Sequence, residues 1–171
     1  NTHILANPDG GNILQSDEFA QQKKQSGWTP RYIVADTVAI TVHEKSVTGL
    51  GKLWYIPKGP GVTTVAQFRD VLPDLQQFAA KNGVFAIKTD PELPKTDDTL
   101  QQLRDLGLVP VPYIQPNIST VLIDLSPDLD TILSNLNQKG RHAIKRAERD
   151  GVTVERVSVN DTTCHSFYDL L

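Results

Sequence analysis

A chain of 171 residues with 39% hydrophobic and 22% charged content fits a soluble globular domain and excludes a disordered or fibrous chain. No run approaches the ~18 apolar residues of a membrane-spanning helix, and the N-terminus lacks the charged-then-apolar layout of a signal peptide. The single cysteine, Cys164, excludes an internal disulfide framework and points to a reducing compartment.

Residues 1–12, rich in Asn, Gly, Pro and Asp, read as a loop. Ser16 then caps a short helix that runs to about residue 25, with Asp17 and Glu18 in its first turn. Gly27 closes it. Residues 31–45 carry the β-branched and aromatic content of one or two strands, bent at Asp36-Thr37. A turn at 48–51 leads to a strand over 52–58, so that strand, turn and strand form an antiparallel hairpin. Apolar residues Phe68, Val71, Leu75 and Phe78 predict a helix over 64–82, with Pro73 as a kink or restart. Residues 84–89 read as a short buried strand, broken by Asp90-Pro91. A further helix spans 99–106. Strands are expected at 109–114 and 120–125, and a helix from Pro127 to about Leu136. A basic helix follows, then a final strand at 152–157. The implied class is α/β, or mixed α+β, with strands in both directions. The hairpin argues against a doubly wound nucleotide fold.

The basic stretch is the sharpest pattern in the chain. From Leu136 to Arg149 it holds Lys139, Arg141, Lys145, Arg146 and Arg149 against one acid, Glu148, a net +4 in a chain of −3. Leu136, Gly140, Ala143, Ile144 and Ala147 share the opposite face and are expected to lie on the core. Such a helix is either a solvated surface helix or a contact for an anionic partner. No phosphate-binding glycine loop is present, and the four histidines are not at metal-ligand spacing, so no cofactor or metal is expected. Asp90 and Glu92, at the end of a buried strand, are either an ordinary Asp-Pro turn or part of a site. Lys23 and Lys24 end the first helix, where cations complement the helix dipole.

The absence of methionine, and a last helix that starts at 160–163 and stops in mid-pattern, make a fragment of a longer protein the expectation.

Five stretches, in order, together resemble the FemABX family, whose members add amino acids from aminoacyl-tRNA to the stem peptide of peptidoglycan precursors. They are Gln15 to Lys23 with Gly27-Trp28-Thr29-Pro30; Tyr55-Ile56-Pro57-Lys58-Gly59-Pro60; Lys88-Thr89-Asp90-Pro91-Glu92; Gln115-Pro116 followed by Val121-Leu122-Ile123-Asp124-Leu125; and a K-x-R-x-x-I-x-x-A-x-x-x-G-V pattern on Lys139, Arg141, Ile144, Ala147, Gly151 and Val152. The resemblance implies tandem acetyltransferase-like (GNAT) domains, the first over 1–157 and a second opening at 158–171. It implies a cytoplasmic enzyme, free or peripheral to the inner face of the membrane, that is inactive as this fragment alone. Its partners would be aminoacyl-tRNA and a UDP-muramyl peptide or lipid-linked precursor. The family's phosphate-contacting lysine falls on Lys23, four residues after Phe19, where the family often has tryptophan. No catalytic residue carries over. Lys139, Arg141, Lys145, Arg146 and Arg149 are the candidate tRNA or anion contacts. The alternatives are a CoA-dependent N-acyltransferase of the same fold and an RNA-binding module using the basic helix.

Overall fold

The computed structural model describes residues 1–114 and 123–170. It forms two compact units, Asn1–Pro116 and Asn117–Leu171. The Gln115-Pro116 and Val121-Leu122 pieces of the family motif, and the start of the expected 120–125 strand, lie outside the described residues.

The first unit is built on a four-stranded sheet of order β1-β2-β3-β4: β1 (Thr29–Ala35), β2 (Val38–Val47), β3 (Gly51–Ile56) and β4 (Val84–Thr89). The first three strands are antiparallel; β4 runs parallel to β3 and is reached through a crossover helix. The class is mixed α/β, as the alternation of short strands and helices predicts. Asp36-Thr37 makes the β1–β2 turn. Asp36 takes a φ of 52°, and its N–H donates to Asp74 Oδ2 at 2.8 Å, which ties the turn to the crossover helix.

Helices cover both faces. The crossover helix spans Val65–Lys81, capped by Thr64, whose side chain accepts from the Gln67 N–H. Its Val65, Phe68, Val71, Leu75 and Ala79 recur every three or four residues and bury against Val38, Ile40, Val42, Trp54 and Ile56 of the sheet. Each large apolar side chain buried there contributes about 1.5–3 kcal/mol. The other face is covered by the N-terminal segment: α1 (Thr2–Leu5), a 3-10 turn (Ile13–Gln15) and α2 (Asp17–Lys24). With α1 and α2 numbered, the crossover helix is α3. Residues 1–12 are thus not wholly a loop.

That segment is held by hydrogen bonds rather than by an apolar stripe. Pairing between β2 and β3 begins at His43 and Tyr55, so the β2 backbone from Ala39 to Thr41 has no β3 neighbour. Two buried amides stand in for the missing strand. Asn7 accepts from Ala39 N–H at 2.9 Å and donates to Ala39 O at 2.8 Å. Gln15 accepts from Thr41 N–H at 2.9 Å and donates to Thr41 O at 3.2 Å and Pro57 O at 2.7 Å.

After β4 comes α4 (Asp97–Asp105), which begins two residues before the expected helix and has Asp97 and Asp98 in its first turn. The expected strand at 109–114 does not form. Pro110 and Pro112 lie two apart, so both missing N–H groups belong to one edge of any such strand, and no ladder can use that edge. The second unit contains α5 (Leu129–Asn135), α6 (Gln138–Arg149) and α7 (Asp161–Tyr168). The expected strand at 152–157 is also absent, and Val154 is 93% exposed. No strand is described in this unit to pair with it, and valine content alone cannot supply one.

Candidate functional site

Lys23 lies in the last turn of α2. Ser16 caps this helix by accepting from Phe19 N–H at 3.2 Å. The four-residue spacing of Phe19 and Lys23 puts the ammonium over the phenyl ring, 5.1 Å from its centroid. The Phe19 ring in turn meets the edge of His43 on β2, with centroids 5.6 Å apart and planes at 85°. Register does the rest. Pro30 pairs with His43, His43 with Tyr55, and Tyr55 with Lys88, so one row crosses all four strands on the face that carries α2. Trp28, just before β1, packs 6.4 Å from His43 and 6.2 Å from Tyr55, and Lys45 sits 5.3 Å over its indole. Lys23 therefore borders an aromatic patch of Phe19, Trp28, His43 and Tyr55.

His43 is 1% exposed, and neither ring nitrogen has a hydrogen-bond partner among the described residues. Burial holds its pKa below the usual histidine value, and the charge of Lys23 pushes it further the same way. The nearby Leu14 backbone pulls the other way, by more than the Lys23 charge and less than burial, without a hydrogen bond of standard geometry. The imidazole is neutral near pH 7.

Asp90 closes the far end of this row, just past β4. Its Oδ1 accepts the Lys58 N–H at 2.7 Å; Tyr55 Oη donates to Oδ2 at 3.5 Å, and the Lys58 ammonium lies 3.9 Å from the same oxygen. Burial raises the Asp90 pKa above the usual aspartate range, and the Lys58 N–H and ammonium only partly offset it. The Asp-Pro turn therefore has a positional role: it fixes Lys58, whose φ is 50°. Thr89 Oγ donates to Gly59 O and holds the same loop. A Cβ on Gly59 would come within 2.7 Å of Ile56, and one on Gly61 within 2.4 Å of Asn7. The loop passes that close to the buried amides. Chemically, the row offers lysines for an anion, aromatic faces for an apolar or planar group, and a half-buried carboxyl with raised proton affinity.

In the second unit, Asn137 caps α6 by accepting from Gly140 N–H at 2.8 Å. The five cations differ in what they do. Arg141 donates to Ser134 O at 3.1 Å and to Leu136 O, which caps the end of α5. Arg146 and Arg149 pair with Asp150 at 3.2 and 3.8 Å. Lys139 and Lys145 make no ion pair among the described residues. The apolar side of the helix, expected on the core, is not buried in this unit: no α6 residue is buried, and Ile144 is 40% exposed. The described part of the unit is helices and extended chain, with no sheet for that stripe to cover.

Read from sequence, Lys23 and Asp90 are candidate site residues; Trp28, Tyr55 and Lys58 appear there only as motif positions without a role, and His43 in no motif. A period-two reading would find His43 and Tyr55 on the strand face opposite Val42 and Trp54. No group of three or more metal-ligating side chains occurs among the described residues, and none of their helices is long and apolar enough to cross a membrane.

No family model matches the chain. It is similar to curated proteins named lipid II:glycine glycyltransferase from Staphylococcus aureus, strains MRSA252, USA300 and N315, each 29% identical. The match covers 90% of this chain but 40% of each relative, so the chain spans well under half of their length. These relatives bear out the resemblance to the FemABX family that the motifs carry: the chain is similar to part of the proteins named lipid II:glycine glycyltransferase.

Proposed function

We propose that this chain is part of a transferase that adds an amino acid, glycine by the names of its relatives, to the stem peptide of a lipid-linked peptidoglycan precursor. The similarity over 90% of the chain carries this reading. The donor in this reading is aminoacyl-tRNA. An amine of the stem peptide attacks the ester carbonyl, the amide C–N bond forms, the ester C–O bond breaks, and the tRNA hydroxyl leaves with a proton. The ester is already activated, so alignment and a donor for the developing oxyanion matter most. Residues 1–157 would form a first GNAT-like domain and 158–171 would open a second, in a protein working at the cytoplasmic face of the membrane.

Within this reading Lys23 binds the diphosphate of the precursor, at the edge of the patch formed by Phe19, Trp28 and Tyr55. The test is transfer of labelled glycine from glycyl-tRNA to lipid II by the full-length protein. Lys23→Ala should raise KM for lipid II about tenfold or more while moving the thermal midpoint little, because the half-buried Lys23 makes no ion pair among the described residues and its loss removes only its contact with the Phe19 ring. An unchanged KM removes Lys23 from the site; absence of any glycyl transfer by the wild type removes the reading.

A further inference from the structure

Every buried polar side chain described in the first unit but one is hydrogen-bonded. Asn7, Gln15, Thr41 and Glu44 all have partners; His43 alone keeps both polar atoms unsatisfied among the described residues. Buried polar groups are otherwise nearly always paired, so such an orphan calls for an explanation. The groups that face it are specific. Phe19 covers it from α2, with the Lys23 ammonium over that phenyl ring, the Leu14 backbone lies near it from the 3-10 turn, Trp28 from the start of β1, and Tyr55 from β3. Lys45 lies beyond Trp28, while Lys88 and Asp90 lie beyond Tyr55. The charged group that bears on the imidazole is therefore the Lys23 ammonium.

We propose that His43 is a proton-linked partner of Lys23: the imidazole stays neutral while Lys23 is unliganded and takes up a proton when an anion seats on that lysine. This rests on the reading of Lys23 as an anion-binding residue. The physical argument is linkage. A cationic imidazole would set a second charge beside Lys23 in a dry site, with only the Leu14 backbone to offset it. An anion on Lys23 cancels the repulsion and supplies negative charge near the ring. Whatever factor the anion adds to proton affinity at His43, the proton adds to anion affinity at Lys23. The ligand chemistry is a diphosphate diester, common to nucleotide-linked and lipid-linked precursors.

The test uses the full-length protein and UDP-glucose, a diphosphate diester that does not titrate near neutrality. Calorimetry in two buffers of different ionisation enthalpy counts protons taken up. The affinity of the wild type should rise as pH falls from about 7.5 to about 5.5, by up to about tenfold per pH unit for one linked proton. His43→Gln should bind UDP-glucose with that pH dependence lost. The NMR titration midpoint of the His43 ring should rise with ligand, and also in unliganded Lys23→Ala. Binding that needs Lys23 but carries no proton uptake overturns the role of His43 and leaves the Lys23 site standing. Binding that does not need Lys23, or no binding, overturns both. Where His43→Gln does not fold, the ring's own midpoint in the wild type decides: no shift on ligand binding overturns the proposal.

Discussion

Two buried amides and two carboxylates show how single residues set this fold. Gln15 is 1% exposed and satisfies the backbone of Thr41 on both sides, as well as Pro57. Gln15→Leu keeps the volume but leaves those backbone groups unpaired, at about 1–3 kcal/mol for each buried group so exposed. A lower urea midpoint with an unchanged m-value is the expected outcome. Glu44 and Asp90 respond to pH with opposite signs. Burial alone would raise Glu44, but the Trp54 indole at 2.9 Å, Arg31 at 3.0 Å and Lys52 at 3.4 Å outweigh it and hold the carboxyl below its usual range. Its contribution is therefore present above the unfolded glutamate value and is lost as pH falls through the folded one. Asp90 is raised by burial, so its ionised form weighs against the fold near neutrality, and its favourable contribution is fully present below the unfolded aspartate value and lost as pH rises through the folded one. At pH 7, Glu44→Gln should thus lower the denaturation midpoint and Asp90→Asn should raise it or leave it unchanged. Both differences should shrink as pH falls and each carboxyl takes up its proton in the folded state. Midpoints that move the same way at pH 7 would contradict this account of the two sites.

Among the elements, α3 and β4 are the ones their own residues specify most fully. The apolar positions of α3 repeat every three or four residues from Val65 to Ala79, Thr64 caps it and Gly83 follows it, and all of this is legible in the sequence alone. Pro73 is its one irregularity. It sits on the exposed side of the helix, its ring occupies the site of an N–H, and the Arg69 carbonyl one turn back loses its usual donor. Core contacts from Phe68 and Leu75 on either side carry the helix through. Pro73→Ala restores the hydrogen bond without touching the core and should raise stability by up to about 3 kcal/mol, read as a higher thermal midpoint. The segments at 109–114 and 152–157 are less legible. Both have strand-like content, but a strand exists only with a partner, and partner availability is not written in a window of six residues. The same limit hides most of the candidate site. Lys23 is visible through its family motif. His43 and Tyr55 stand 12 positions apart and become neighbours only through the β2–β3 register. Trp28 joins them from the far edge of the sheet.

At the scale of the whole molecule, charge is distributed unevenly, and the structure refines what that means. The chain is −3 overall, yet the stretch from Leu136 to Arg149 is +4. Charge counting treats its five cations as equal. Their partners do not: Arg141 is engaged with the carbonyls at the end of α5, and Arg146 and Arg149 share Asp150, which cancels part of their field. Lys139 and Lys145 remain to face a polyanion. If tRNA is held by this helix, those two lysines should account for most of its salt dependence, since each phosphate neutralised releases condensed counterions. Lys139→Glu with Lys145→Glu in the full-length protein should lower the slope of log affinity for tRNA against log salt by about 1.5, at roughly 0.7–0.9 for each phosphate no longer neutralised. Arg146→Gln with Arg149→Gln should change it less, because those guanidiniums already have a carboxylate. Arg141→Ala should act through α5 instead, lowering stability with little change in slope. Equal slopes for wild type and the double lysine variant would assign the basic face to solvent.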